Sequence, residues 1–248
     1  MLASLPVVGR RRHRGQVLSY IREKPNSALA EAVRNLRTAL LLSNIDEPPQ
    51  TVMVTSSVPG EGKSTTCILL AHMSGLVGKS AIVVECDIRR PTLHKTFGIE
   101  EGHDIISVLE GAVSLEEAVW RDEATGLSVL PAIQPTPQAA DILSSKRFGA
   151  LIEELRKHYD LVLLDTPPVL LVSDAGVVGK YADATIYTVR WDHTPRDAAM
   201  QGLKQLRELG VRVSGTVVTL IDQRRAARYS YSRYGYGYYA GDNAYYAD

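Results

Sequence analysis

No run of apolar residues in this 248-residue chain approaches the length of about 18 that a bilayer crossing demands, so no segment reads as a membrane span. The N-terminus also lacks an apolar signal region with a cleavage site. Net charge is missing too: 28 Lys and Arg balance 28 Asp and Glu, which removes the overall basic field that would point to nucleic acid. Cysteine is scarce. Cys67 and Cys86 cannot build a disulfide framework, and both lie in apolar segments, as buried free thiols in a reducing compartment would. Internal repeats are absent. The remainder, 45% apolar and 23% charged, is ordinary for a soluble globular protein. At this length it makes one α/β domain with tails, or two small domains.

What the chain does have is Ser56 to Thr66, S-S-V-P-G-E-G-K-S-T-T. A β-branched run, Thr51 to Thr55, precedes it, and an apolar helical pattern from Ile68 to Ala71 follows. Strand, glycine-containing loop and Gly-Lys-Ser opening a helix is the context a phosphate-binding loop requires. Gly60 and Gly62 let backbone N–H groups turn around phosphate oxygens, and the following helix points its positive end at the same place. Pro59, Glu61 and Thr65 complete the loop. Lys63 is placed for the β- and γ-phosphates and the Ser64 hydroxyl for Mg²⁺. The general pattern wants glycine where this chain has Ser57. A plain surface turn before a helix is the alternative reading.

Upstream, Leu5 to Gly9 is extended, and Arg10-Arg11-Arg12-His13-Arg14 is either a solvated arm or a contact for anionic lipid headgroups. Asn26 or Ser27 caps a helix predicted over 28–43, whose apolar face is Leu29, Val33, Leu36 and Leu40. Glu31, Arg34 and Arg37 recur every three residues beside that face. Taken alone, Glu31 and Arg34 would pair within the helix.

Downstream, strands and helices alternate. Strands are expected at 80–84, 127–130, 161–165, 184–189 and 213–220. Short helices are expected at 105–109 and 115–119, and longer ones from 139 to 143, through 151–155, and over 195–209. Such alternation implies a mostly parallel sheet with helices on both faces. The strand at 80–84 ends in Glu85-Cys86-Asp87, and the strand at 161–165 ends in Asp165. Acidic groups at the carboxyl ends of parallel strands sit where open α/β sheets bind ligands. Asp87 fits a role near a metal or as a base, or a plain capping or salt-bridged one. Asp165 fits support of Mg²⁺, directly or through water.

From Asp222 the aliphatics vanish. Twelve tyrosines occur in the whole chain, and eight fall in the last twenty residues: Tyr229, Tyr231, Tyr234, Tyr236, Tyr238, Tyr239, Tyr245 and Tyr246. Without Leu, Ile or Val this stretch cannot bury enough surface to order itself. Self-association of a low-complexity segment, or stacking on single-stranded nucleic acid, would each suit the composition. Neutral charge and the lack of lysine in the tail speak against the second. The organisation expected is an arm at 1–26, a nucleotide-binding domain at 27–221 and a disordered tail at 222–248.

Taken in order, these motifs resemble the bacterial tyrosine kinases of the P-loop type that control capsule and exopolysaccharide production. The resemblance covers about residues 5 to 248. Glu31, Arg34 and Arg37 match the family's E-x-x-R-x-x-R oligomerisation helix. Ser56 to Thr65 match its Walker A loop, Asp87 with Ile88 to Pro91 its second acidic motif, Asp165 with Pro167 and Pro168 its Walker B, and the terminal tyrosines its autophosphorylated cluster. The second motif usually reads D-x-D, and its first acid here is Glu85, one methylene longer. Partitioning and cell-division ATPases carry a signature lysine where this chain has Val58, which weighs against that branch.

The resemblance implies a P-loop NTPase fold of three layers and an ATP- and Mg²⁺-dependent protein-tyrosine kinase. In it Lys63, Asp87 and Asp165 are catalytic, Ser64, Asp87 and Asp165 hold Mg²⁺, and the tail tyrosines accept phosphate. It further implies a ring homo-oligomer, octameric in one form, joined through Glu31, Arg34 and Arg37. A membrane-embedded chain-length regulator, fused or separate, would be its activator. Other protein substrates in polysaccharide synthesis, a cytoplasmic position at the inner face of the membrane and no nucleic-acid partner complete the expectation. A nucleotide-switched scaffold without kinase activity is the rival.

Overall fold

The computed structural model describes residues 1–8, 14–44, 46–99, 101–123 and 125–227. Most of the arginine run and all eight tail tyrosines lie outside these. In chain order the elements begin with β1 (Ala3–Pro6), α1 (Arg14–Glu23), α2 (Ala28–Leu41), β2 (Thr51–Ser56), α3 (Lys63–Gly75) and β3 (Ala81–Glu85). Next come α4 (Leu93–Phe97), α5 (Ile105–Glu110), α6 (Leu115–Ala118), β4 (Trp120–Arg121), β5 (Ser128–Leu130), α7 (Ala139–Leu143) and α8 (Lys146–His158). The last are β6 (Leu161–Asp165), α9 (Asp174–Val178), β7 (Ala184–Arg190), α10 (Arg196–Glu208) and β8 (Gly215–Ile221).

The strands form one sheet in the order β1-β8-β7-β2-β6-β3-β5-β4, parallel throughout except for the β4–β5 pair. The central strands are buried on both faces, which is why they read as continuous apolar runs. Alternate residues supply two cores. Val52, Val54 and Val83 face a cluster built with α1, α2 and α3, whereas Met53, Ile82 and Val84 face one built with α5, α7, α8, α9 and α10. The three-layer α/β/α expectation holds. Among the described residues no helix is long and apolar enough to cross a membrane. Both cysteines are buried and free.

Ser27 is the cap of α2, accepting the Ala30 N–H at 3.3 Å, and Asn26 is not. The predicted boundary at residue 26 does not divide the fold. β1 pairs in parallel with β8, and Leu18 and Ile21 of α1 are core residues. Val17, Leu18 and Ile21 have helical spacing, a signal hidden behind the basic run before them. The last strand starts at Gly215, two residues later than expected. There Leu2 packs so closely that a Cβ on Gly215 would lie 2.5 Å from Leu2 Cγ.

Candidate active site

Parallel strands bring β2, β3, β6, β7 and β8 to the same carboxyl edge, and the candidate residues collect there. The chain leaves β2 through Gly60 (φ 77°) and Gly62 (φ 83°), left-handed positions that favour glycine, and enters α3 at Lys63. A Cβ on Gly62 would also press on Thr219, with three contacts at 3.3 Å. Gly62 brings no side-chain cap to α3, so the first-turn N–H groups suit an anion. Lys63 and Ser64 begin the helix and are only 9% and 7% exposed.

The loop is braced from within. Glu61 is fully buried; its carboxylate accepts the Val58 N–H at 2.7 Å and the Thr194 hydroxyl. That leaves its backbone, not its side chain, for a phosphate. The Thr219 hydroxyl donates to the Glu61 carbonyl at 2.9 Å, tying the loop to β8. Ser57 also has a local reason. Its Oγ lies 2.7 Å from the Tyr187 hydroxyl, in a buried contact a glycine could not make. Burial pushes the Tyr187 phenol up to about 12, against the lowering effect of the Ser57 bond.

Asp165 ends β6, flanked in register by Val54 of β2 and Glu85 of β3. Its carbonyl accepts the N–H groups of Cys86 (2.8 Å) and Asp87 (3.1 Å), so the turn leaving β3 is fastened to the end of β6. Asp87 is pushed up to about 6, by burial first and then by Asp165, with Lys63 pulling the other way. Lys63, Asp87 and Asp165 therefore share one field. Two carboxylates that repel each other in a largely buried place, beside a lysine and a serine hydroxyl, fit a divalent cation. Among the described residues no group of three or more His, Cys, Asp and Glu could hold a metal. Mg²⁺ suits that inventory, because it is commonly held by one or two carboxylates together with substrate phosphates and water.

Glu85 is committed elsewhere. Its carboxylate accepts the N–H groups of Thr92 (2.5 Å), Leu93 (2.9 Å) and Ala132 (3.1 Å). The extra methylene takes it to the start of α4 and to the strand end of β5. Burial still outweighs these bonds and raises it to about 7. The same burial pushes the Cys67 and Cys86 thiols up, which suits inert core residues.

Two features were not predicted. A pocket of about 270 Å³ adjoins the phosphate loop, walled by Gly60, Gly62, Thr65 and Leu69 on one side and by Leu5, Val8 and Leu220 on the other. Its walls come from both ends of the described chain, a juxtaposition with no local sequence signal. The second is the partner of Arg89, a residue of the second acidic motif that makes a forked ion pair with buried Asp174. α2, whose Leu29 also lines that pocket, carries Glu31, Arg34 and Arg37, all half-buried; Arg34 pairs with Glu31 at 2.7 Å within the helix.

The AAA domain family model matches residues 49–217, more than half of the chain. The tyrosine-protein kinase YwqD of Bacillus subtilis is 33% identical over 216 residues, covering 87% of this chain and 88% of that protein. The tyrosine-protein kinase wzc of Salmonella typhimurium is 29% identical over 214 residues, which are 86% of this chain but only 30% of that longer protein. Among solved structures, the kinase domain of the Escherichia coli tyrosine kinase ETK superposes with a TM-score of 0.81 at 26% identity, covering 90% of this chain and 91% of that one.

Proposed function

The chain belongs to the bacterial tyrosine-protein kinases, a family of AAA domain proteins, and from that premise we propose that it transfers the γ-phosphoryl group of Mg·ATP to its own C-terminal tyrosines. The convergence of Lys63, Asp87 and Asp165 on the phosphate loop carries this reading. Lys63 and the loop N–H groups from Gly60 to Thr65 neutralise charge on the β- and γ-phosphates. Ser64, Asp87 and Asp165 hold Mg²⁺, which when bound offsets the charge of the transferring group. Asp87, raised towards neutrality, accepts the proton as the tyrosine oxygen bonds to phosphorus and the β,γ-bridging bond breaks. The apolar pocket beside the loop suits the nucleotide base.

The acceptors are Tyr229, Tyr231, Tyr234, Tyr236, Tyr238, Tyr239, Tyr245 and Tyr246. β8 runs parallel to its neighbours, so Ile221, and with it the start of the tail, lies at the edge that holds the phosphate loop. Residues 223–227 are helical, and Arg225 pairs with Asp192 at 2.7 Å, so the reach is counted from residue 228. A random coil of that remaining length would span about 25 Å r.m.s., enough for its own site or a neighbour's. Transfer in trans within a ring joined through Glu31, Arg34 and Arg37 is the reading we adopt. Each phosphate adds about −1.5 to −2 charges. Several on each tail would crowd negative charge at the ring and loosen it, cycling the kinase in step with exopolysaccharide synthesis and export. A membrane-embedded chain-length regulator is the partner that would hold it at the inner face of the membrane.

The test is incubation of the purified chain with Mg·ATP, with and without the cytoplasmic segment of its regulator, followed by mass spectrometry of the tail. Phosphotyrosine within 229–246 that disappears with Lys63→Met is expected. ATP binding without any phosphotyrosine, regulator present, overturns the kinase reading in favour of a nucleotide-switched scaffold.

A further inference from the structure

The turn that carries Asp87 is held from several sides, and one of its restraints comes from a residue that no part of the proposed chemistry uses. Arg89 Nε donates to Asp174 Oδ2 at 2.6 Å and Nη2 to Oδ1 at 3.1 Å, while Nη1 donates to the Pro137 carbonyl at 2.8 Å. Asp174 is fully buried at the start of α9, and Arg89 is about 30% exposed. The forked geometry is the one in which an arginine fixes orientation as well as charge. Leaving Asp174 buried without this partner is costly, so the pair holds together in a way that an exposed pair does not.

The connection to the site is short. Arg89 lies two residues after Asp87. Between them the Ile88 carbonyl accepts the Thr136 N–H at 3.0 Å, so the turn is stitched to the same loop that Arg89 reaches at Pro137. On the other side the Arg90 N–H donates to Asp87 Oδ1 at 3.2 Å, and the Asp87 N–H donates to the Asp165 carbonyl. The carboxylate of Asp87 is thus aimed by a turn with three anchors: Asp165 at its base, the loop after β5 along its side, and Asp174 at its tip.

We infer that Arg89 and Asp174 form a positioning pair that holds the 87–90 turn so that Asp87 faces Lys63 and Asp165. The inference rests on the reading of Asp87 as part of the Mg·nucleotide site. Neither Arg89 nor Asp174 touches the reacting atoms. Their contribution is to the geometry of a neighbouring ligand, the kind of outer contact whose loss weakens a metal site without removing any ligand from it.

The experiment measures a fluorescent ADP analogue binding to the full chain with and without Mg²⁺, alongside thermal melting and tyrosine transfer. In Arg89→Ala and in Asp174→Ala the tightening of ADP binding by Mg²⁺ is expected to fall by about 10- to 100-fold. Metal-free ADP affinity should stay within about twofold of the parent, because the phosphate loop is intact. Turnover should fall with little change in acceptor KM. Arg89→Lys, which keeps the charge and loses the fork, should be intermediate. Arg89→Ala/Asp174→Ala together should be no worse than the worse single change.

An unchanged Mg²⁺ effect in Arg89→Ala overturns the inference. So does its loss in Arg89→Ala with full retention in Asp174→Ala, since Arg89 would then act on the ligand directly. Should Asp174→Ala fail to fold, Asp174→Asn and Arg89→Lys give the same comparison. A parent chain that makes no phosphotyrosine but shows this Mg²⁺ pattern overturns the kinase reading and supports the pair. A parent chain that binds ADP equally with and without Mg²⁺ overturns both.

Discussion

The backbone N–H of Asp87 donates to the carbonyl oxygen of Asp165 at 3.1 Å, so the two candidate carboxylates are joined through their main chains. Neither can move away from the other without breaking the end of the sheet. Burial and this proximity raise Asp87 to about 6, and Lys63 offsets only part of the effect. The arrangement is unfavourable when both acids are ionised and no cation is present. A divalent cation shared by both carboxylates would relieve it.

Asp165→Asn tests that view from both directions. It removes one negative charge, so Asp87 should move down towards the ordinary carboxylate range. Without nucleotide the variant should melt no lower than the parent, because a buried repulsion is gone. Tyrosine transfer should nevertheless fall about a hundredfold or more, the scale on which one electrostatic group in a transfer site acts. Thermal melting and the transfer rate are the two measurements. A lower melting temperature with unchanged transfer would make Asp165 a structural residue.

Glu85 gives a pH dependence. Its pKa in the folded chain, about 7, is above the ordinary 4.5, with burial the main cause. A carboxyl raised by folding contributes stability that is full below about pH 4.5 and is lost as pH rises through about 7. By linkage that loss is on the order of 3 kcal/mol across the window. Glu85→Gln removes this titration. Its amide nitrogen cannot accept an N–H, so at least one of the bonds from Thr92, Leu93 and Ala132 is lost. Urea unfolding should find the variant less stable than the parent at pH 5, with the gap narrowing by pH 8. A gap that widens with pH would mean that the three N–H bonds outweigh burial.

The parts of this site legible in the sequence are those whose chemistry is local. Strand, Gly60, Gly62, Lys63 and helix follow one another within the phosphate-loop segment, and Asp87 and Asp165 each end or follow an apolar run. Hydrophobic pattern alone placed those strands to within a residue or two. The missed features depend on partners far along the chain. β1 has four residues, one a proline, and exists because β8 offers it a free edge. Glu85 was visible as one methylene longer than the usual acid of its motif, but nothing nearby pointed to Ala132 and the start of α4, whose N–H groups it accepts. Ser57 was visible as a departure from the phosphate-loop pattern, but nothing nearby pointed to Tyr187.

That last contact makes a prediction. Tyr187→Phe removes the hydroxyl that meets Ser57 Oγ at 2.7 Å and leaves a buried serine short of a partner. A loss of about 1–3 kcal/mol in unfolding free energy is expected. Ser57→Gly in the same background removes the stranded serine hydroxyl and restores the general phosphate-loop residue, so the double variant should recover part of the loss. Chemical denaturation of the four proteins forms a closed cycle. Purely additive effects would show that the hydroxyl pair contributes nothing as a pair.

In α2 the residues that hold the fold differ from those proposed for assembly. Within one subunit Arg34 and Glu31 pair at 2.7 Å, but both side chains are more than a third exposed, and such a pair contributes only a few tenths of a kcal/mol. The fold of α2 rests instead on Leu29, Ala30, Val33, Leu36 and Leu40, which are buried. Changing Glu31, Arg34 and Arg37 together to Ala, a strong helix former, should therefore leave the melting temperature of the separated subunit nearly unmoved. Light scattering should nonetheless show a ring in the parent and a monomer in the triple variant. Tail phosphorylation in the variant should become concentration-dependent, because trans transfer then requires a fresh encounter. An oligomer that survives the triple change removes these residues from the interface. A monomer whose tail is phosphorylated at a rate independent of concentration would place the transfer in cis.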